Sequence, residues 1–486
     1  MYLPTIGLEI HIELNTKTKM FCGCKNDPNE ATPNTNVCPV CLAHPGALPT
    51  INKQAVEGVI KLGLALGGTI PEHSQFDRKS YFYPDLPKGY QISQYEHPFV
   101  KGGKLHGINI TRIHLEEDTG RLLHVDDNKS SLVDFNRAGV PLVELVTEPE
   151  IKSGEQAVAF AKELQLILRY LQIADADMEK GQMRIEANIS ISDADSKELG
   201  TKVEIKNLNS FKIVGDAIDY EIQRQEKVIT AGEDVVQETR GWDEKKQTTK
   251  SQREKEEAHD YRYLPEPDLP PLNLTKSDLI NVEDLKSEIP ELPAQKRVRF
   301  PQEYNITPDQ AALLVENPRA AQFFEEAVSE IKTEDVRGCC EHLFNYLTSD
   351  LYGLIKEQGI TFDELKITPE NFADLVALVQ KGDLTSRMAK DLIPKMQETG
   401  DDPRTIMKAH GIQQIAREDI IQNAAEKVLQ ANKKAVEDYK NGKETALKFL
   451  IGKTMAELKG QGNPQIIEKV LTKTLKKSLI VAVKKK

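Results

Sequence analysis

Four stretches alternate polar and apolar residues, and their polar members are the ones that could do chemistry. In GLEIHIEL (7–14), Glu9, His11 and Glu13 fall on one face of a strand and Leu8, Ile10, Ile12 and Leu14 on the other. In MRIEANIS (183–190) the polar face is Arg184, Glu186, Asn188 and Ser190, and in KVEIK (202–206) it is Lys202, Glu204 and Lys206. In RIHLEED (112–118) it is Arg112, His114, Glu116 and Asp118, with Glu117 out of phase unless the strand ends or bulges there. Carboxylates beside an imidazole suit Mg²⁺ or Mn²⁺, which prefer oxygen ligands. Lys and Arg next to them suit the phosphates that such an ion would bridge. A single strand of this kind also reads as the wet face of an antiparallel sheet. Four of them, with His, Asn and Lys among the acids, favour a metal–phosphate site.

Cys22-x-Cys24 and Cys38-x-x-Cys41 form two close pairs that suit a tetrahedral, structural Zn²⁺ with the loop between them closed over it. Four protein ligands leave no open position, so this ion has no catalytic role. Cys339 and Cys340 lie in a helical region and read as core. Residues 76–90 pack five aromatics and three basic residues into 15 positions, in a chain with 6% aromatics. Rings beside cations suit an unpaired nucleotide end. Asp260-Tyr261-Arg262-Tyr263 invites the same reading.

The elements that must position these residues follow from the rest of the chain. Its 486 residues predict two to four domains. Six of the 25 prolines fall between Pro265 and Pro293, which stops helix propagation and predicts a boundary near 290. Beyond about 295, apolar residues recur at three- and four-residue spacing, the helical period. A second break sits at Gly400-Asp401-Asp402-Pro403. The net charge is −12, yet residues 406–486 hold 17 Lys/Arg against 8 Asp/Glu and end on Lys484-Lys485-Lys486. That asymmetry predicts that the tail meets an anion. No apolar run approaches a membrane span, and residues 1–14 do not read as a signal peptide, so a cytoplasmic protein with reduced thiols is expected. No GxxxxGK[ST] loop, kinase motif, G-x-S-x-G elbow or glutaminase cysteine is present.

Together these stretches resemble the GatB family, the B component of the tRNA-dependent amidotransferases. The resemblance rests on GLEIH (7–11), NTNVCPVCLAHPGALPTIN (34–52) and FDRKSYFYPDLPKGYQISQ (76–94). It continues in HLEEDTGR (114–121), DFNRAGVPLVELVTEPEI (134–151), VEIKNLNSF (203–211), DYRYLPEPDLPP (260–271) and NGKETALKFLIGKTMAELKGQGNP (441–464). It implies an α+β protein with three parts. They are an antiparallel-sheet catalytic cradle carrying the zinc insertion (1–292), a helical domain (293–405) and a small YqeY-like helical tail for tRNA (406–486).

The resemblance also implies a ligase reaction. ATP and Mg²⁺ phosphorylate the side-chain carboxylate of Glu-tRNA(Gln) or Asp-tRNA(Asn), and ammonia then displaces phosphate to give Gln-tRNA(Gln) or Asn-tRNA(Asn). The amidase subunit GatA supplies the ammonia and the small subunit GatC joins the complex. Carried onto this sequence, His11, Glu117 and Glu186 hold Mg²⁺. Glu9, Glu116 and Glu204 are alternatives or supports, and Asn188 and Lys206 contact phosphate or the substrate carboxylate. Arg78, Lys79, Tyr81 and Tyr83 hold the tRNA 3′ end. Where the family commonly has Arg-Cys-Asp-Ala-Asn, this chain reads Arg184-Ile185-Glu186-Ala187-Asn188, so the acid is one methylene longer. Two other readings compete: a non-catalytic tRNA-binding scaffold of the same complex, and a metal-dependent phosphotransferase or hydrolase that uses no tRNA.

Overall fold

The period-two stretches meet in one nine-stranded sheet in the computed structural model, which describes residues 2–125, 130–196, 198–254, 261–274, 280–332, 335–412 and 418–483. Asp260 and Lys484 to Lys486 lie outside the described residues. The sheet runs through strands 248–254, 238–243, 203–208, 183–193, 2–13, 141–147, 108–117 and 100–101, with 104–105 folded back onto 108–117. Strand Tyr2–Glu13 is central, antiparallel to Met183–Asp193 on one side and to Pro141–Thr147 on the other. One junction departs from an all-antiparallel cradle. Val203–Leu208 and Glu238–Asp243 run parallel, and helix Phe211–Thr230 between them is the crossover that a parallel pair requires.

Alternation decides which way each strand faces. Leu8, Ile10, Ile12, Leu115, Val143, Leu145, Ile185, Ala187 and Ile205 are buried in one core with helices 53–65, 154–170 and 211–230. Each such Leu or Ile contributes roughly 1.5–3 kcal/mol. A one-residue slip would send the whole set to the other face, so the register is strongly specified. Side-chain caps at Asn52, Ser153 and Ser210 start the three helices. Gly63 lets the first of them approach the sheet edge, since a Cβ there would lie 2.4 Å from Val100 Cγ2.

A three-stranded ribbon sets Asp77–Ser80 between Tyr90–Ser93 and Leu264–Pro265. It is fastened to strand Ile108–Glu117 by Gln91 Nε2, which donates to the Glu117 carbonyl at 2.6 Å, and by Gln94 Oε1, which accepts from Leu115 N at 3.2 Å.

The chain divides into two compact units, Met1–Pro293 and Ala294–Lys486, and the fold is α+β. The second unit is built from helices. The long apolar run 311–331 is broken by Asn317, which caps helix Pro318–Ser329, with proline at its first position. Gly400, at φ +81°, ends helix Ser386–Thr399, and Asp402 caps Pro403–His410. Farther on, Ile421, Ala425, Leu450, Ile467, Val470 and Leu471 form a separate apolar cluster. No helix among the described residues is long and apolar enough to cross a membrane.

Candidate metal and phosphate site

Register turns the scattered polar residues into rows, because opposite residues of paired antiparallel strands share a face. His114, Glu144, His11 and Arg184 form one row across four strands; Arg112, Val146, Glu9 and Glu186 form the next. Two donor groups result: His11, Glu116 and Glu144, and Glu9, Glu186 and Glu204. In each, the ligand atoms lie within 4.8 Å of one another.

In the first group, His11 Nε2 is 3.4 Å from Glu144 and 3.8 Å from Glu116, and His114 Nε2 is 3.3 Å from Glu144. Ser93 Oγ donates to Glu116 Oε2 at 2.9 Å, so the ribbon orients this acid. Burial works against a charge on His11, but the hydrogen bond and charge of Glu144, with Glu116 and Glu186, raise it to about 9. Burial would raise Glu144, yet His114 and His11 hold it well below the usual carboxylate range.

The second group depends on a bulge. Ile185 pairs with Leu208 but Ala187 pairs with Ile205, so Lys206 and Asn207 together oppose Glu186. Asn207 takes the left-handed conformation at φ +64°, one that Asn tolerates better than most residues. Lys206 Nζ lies 2.9 Å from Glu186 and 3.5 Å from Glu204. Thr239 Oγ1 donates to Glu204 at 2.7 Å, and Asn188 Nδ2 donates to Glu9 at 2.8 Å. Burial raises the Glu9 pKa, as do the charges of Glu144 and Glu186, against the Asn188 hydrogen bond. Burial opposes the Lys206 charge, but Glu186 and Glu204 raise its pKa.

These donors fit a hard divalent ion. They are oxygen-rich, carry uncompensated negative charge, and leave Asn188 Oδ1 buried without a hydrogen-bond partner beside Glu9. An octahedral ion with ligands about 2.1 Å away takes up donors roughly 3–4 Å apart, close to the spacing here.

The four N-terminal cysteines also converge within 4.8 Å of one another. Cys38 Sγ and Cys41 Sγ are 3.8 Å apart, which matches the edge of a tetrahedron with Zn–S near 2.3 Å. Beneath them Lys19 is fully buried, 2.7 Å from the Asn36 carbonyl, 3.2 Å from the Phe135 carbonyl and 3.9 Å from Cys41 Sγ. A buried cation there offsets the charge of a thiolate cluster.

The residues singled out from sequence go to different places. Glu117 does not join His11 and Glu186. Lys88 takes its carboxylate at 2.6 Å and the Ile92 amide donates to it at 3.0 Å. It lines a cavity of about 270 Å³ with Cys22, Cys41 and Lys88, and no member of either donor group lines that cavity. The strand stays in register through Glu117, so alternation puts its side chain on the face opposite Glu116. Arg78 is committed to the fully buried Glu266 by two hydrogen bonds of 2.8 Å.

Lys79 turns towards the donor groups. Burial opposes its charge, but Glu116 and Glu144 raise its pKa well above the usual value, and it lies 4.9 Å over the Tyr261 ring. Tyr81 donates to Gln91 Oε1 at 3.1 Å, whereas Tyr83 is 61% exposed and Phe82 89%.

Two site residues escaped sequence reasoning. Glu144 is a lone acid in PLVELVT, and that oddity was its signal. His114 was on the polar face but had no role until the register set it opposite Glu144.

Residues 4–280 match the family model described as the GatB/GatE catalytic domain, and residues 322–475 match the one described as the GatB domain. Three relatives are named as the B component of an aspartyl/glutamyl-tRNA(Asn/Gln) amidotransferase. That of Thermotoga petrophila is 44% identical over 486 residues, 98% of this chain and 99% of the relative. Thermoanaerobacter sp. has one 44% identical over 484 residues (98% and 100%), and Persephonella marina one 44% identical over 481 residues (97% and 99%).

Proposed function

Because the chain belongs to the GatB/GatE family, we propose that it is the carboxylate-activating subunit of a tRNA-dependent amidotransferase. Its substrates are Glu-tRNA(Gln), Asp-tRNA(Asn) or both. A side-chain carboxylate oxygen attacks the γ-phosphorus of ATP and ADP leaves. Ammonia then attacks the acyl carbon and phosphate leaves. The observation that carries this reading is the pair of donor groups gathered on one sheet, His11–Glu116–Glu144 and Glu9–Glu186–Glu204. A carboxylate acylates poorly until one of its oxygens belongs to a phosphate, and that transfer needs positioning and charge neutralisation more than covalent help.

The two groups, with Asn188, would hold Mg²⁺, Glu116 taking the role that resemblance gave to Glu117. The ion would supply charge neutralisation at the phosphate oxygens. This chain's own residues supply the rest. Lys206 brings a cation to the same face, kept charged by Glu186 and Glu204. Ser93, Thr239 and Asn188 orient Glu116, Glu204 and Glu9. Lys79, Tyr81 and Tyr83 receive the 3′ end of the charged tRNA, while Arg78 holds the ribbon together through Glu266. The cysteines keep Zn²⁺ as scaffold. Residues 293–405 form the helical domain, and the basic stretch 406–486 meets the tRNA body. Ammonia comes from an amidase partner, GatA, with GatC completing a cytoplasmic complex.

The test is phosphate release from γ-labelled ATP by the assembled complex, with Mg²⁺ and Glu-tRNA(Gln) but no ammonia source. Release that requires charged tRNA and collapses in both Glu186→Ala and Glu144→Ala supports the reading. Unchanged release in both variants removes the sheet face from the chemistry. No tRNA-dependent release from an intact, tRNA-bound wild-type complex favours a scaffold.

A further inference from the structure

Arg112 shares a row with Val146, Glu9 and Glu186. Its guanidinium makes no ion pair or hydrogen bond among the described residues, and its Nε is buried without a partner. The other arginines of this region are engaged. Arg184 holds Asp118 at 2.9 Å, Arg137 donates to the Thr119 and Gly120 carbonyls, and Arg78 holds Glu266. Leaving a guanidinium N–H buried and unpaired is costly unless something else arrives to accept from it.

The surroundings hold that guanidinium in place. It lies 5.6 Å from the centre of the Tyr95 ring. Tyr95 stacks on Tyr263 at 4.7 Å and 16°, and Tyr263 meets Tyr261 edge-on at 6.2 Å. Two strand spacings, about 10 Å, separate its backbone from that of Glu9. The missing partner is therefore an anion that comes in from outside and ends beside the donor groups.

We propose that Arg112 holds the free side-chain carboxylate of the amino acid esterified to tRNA. This rests on the functional reading above. A planar fork of N–H donors matches a carboxylate, and the Tyr95 ring lies beside it. A substrate carboxylate entering this face meets Glu9, Glu116 and Glu144, whose charge a cation on its own side offsets. Arg112 supplies that cation on the side of Glu9 away from Lys206. Amidation turns the carboxylate into a neutral amide, so the same contact weakens once product forms. Arg112 thereby distinguishes substrate from product.

The experiment uses the complex assembled with its amidase partners and compares wild type, Arg112→Gln and Arg112→Lys. Melting temperature and Mn²⁺ binding verify that the cradle is intact. Affinities for Glu-tRNA(Gln) and Gln-tRNA(Gln) are measured alongside the KM for ATP. The expected result is a loss of about 10- to 100-fold for the Glu-charged tRNA in Arg112→Gln. Binding of the Gln-charged form and the KM for ATP stay unchanged, and Arg112→Lys recovers part of the loss. Equal losses for both charged forms would show a structural role and overturn the assignment. So would a rise confined to the KM for ATP, which would place a phosphate there. A wild-type complex that binds both charged forms alike takes down this proposal alone, since the functional reading stands or falls on phosphate release. Discrimination that survives in both variants takes down Arg112 alone.

Discussion

Metal binding at the first donor group should expel a proton from His11. Burial works against the imidazolium, but Glu144, Glu116 and Glu186 raise its pKa from 6.5 to about 9. At pH 7 the metal-free ring is then mostly protonated. A metal takes the neutral nitrogen, so each ion bound must displace about one proton. Affinity should rise about tenfold per pH unit between pH 6.5 and 9, then level off. Stability of the metal-free protein moves the other way. A raised folded-state pKa stabilises fully below the unfolded value of about 6.5, and that contribution fades as pH climbs through about 9. Its size is on the order of 3 kcal/mol. Calorimetric titration with Mn²⁺ at pH 7, in two buffers of different ionisation heat, counts the protons. About one per ion is expected from wild type. Far fewer should come from Glu144→Gln, which removes the strongest raising influence. Affinity that stays flat from pH 6.5 to 8.5 in wild type, with no proton released, would refute the assignment of His11 as a ligand.

Other perturbations probe the remaining parts. Glu204→Gln and Glu186→Gln should each cut tRNA-dependent phosphate release by about 10²–10³-fold with little change in melting temperature; full activity in either removes that acid from the site. Arg78→Ala strands the buried carboxylate of Glu266 and should destabilise the first unit by about 3–5 kcal/mol in denaturant titration. Lys79→Ala should instead lower turnover with a near-normal midpoint, and the reverse pattern would exchange the two roles. Cys41→Ser should lower bound zinc, measured by metal analysis, while leaving ATP binding intact. Lys19→Met should destabilise by about 1–3 kcal/mol, because the part-buried carbonyls of Asn36 and Phe135 lose their donor.

The sequence by itself determined the periodicities. Alternation in 7–14, 112–118, 183–190 and 202–206 dictates strands with one polar face, since side chains on a strand point alternately to opposite faces. The proline cluster ends one unit and the three- and four-residue spacing beyond it builds the helical one. The cysteine pairs announce through local spacing alone a cluster of four thiols that could hold a metal ion. What alternation cannot supply is register, because pairing partners are distant in sequence. Glu144 lies 133 positions from His11 yet directly opposite it, and Glu186 faces Glu9 across 177.

Tertiary structure alone decided which acids share a site. Regular pairing through Glu117 keeps that carboxylate on the opposite face, where Lys88 takes it, and the bulge at Lys206-Asn207 aims an ammonium at Glu186. The bulge depends on how neighbouring strands fall out of step, which no local pattern encodes, whereas the phase of Glu117 was already legible in the alternation. Charge behaviour belongs to the same level. His11 and Lys79 hold their protons more tightly because acids from other strands surround them, and Arg112 is free because no acid among the described residues pairs with it.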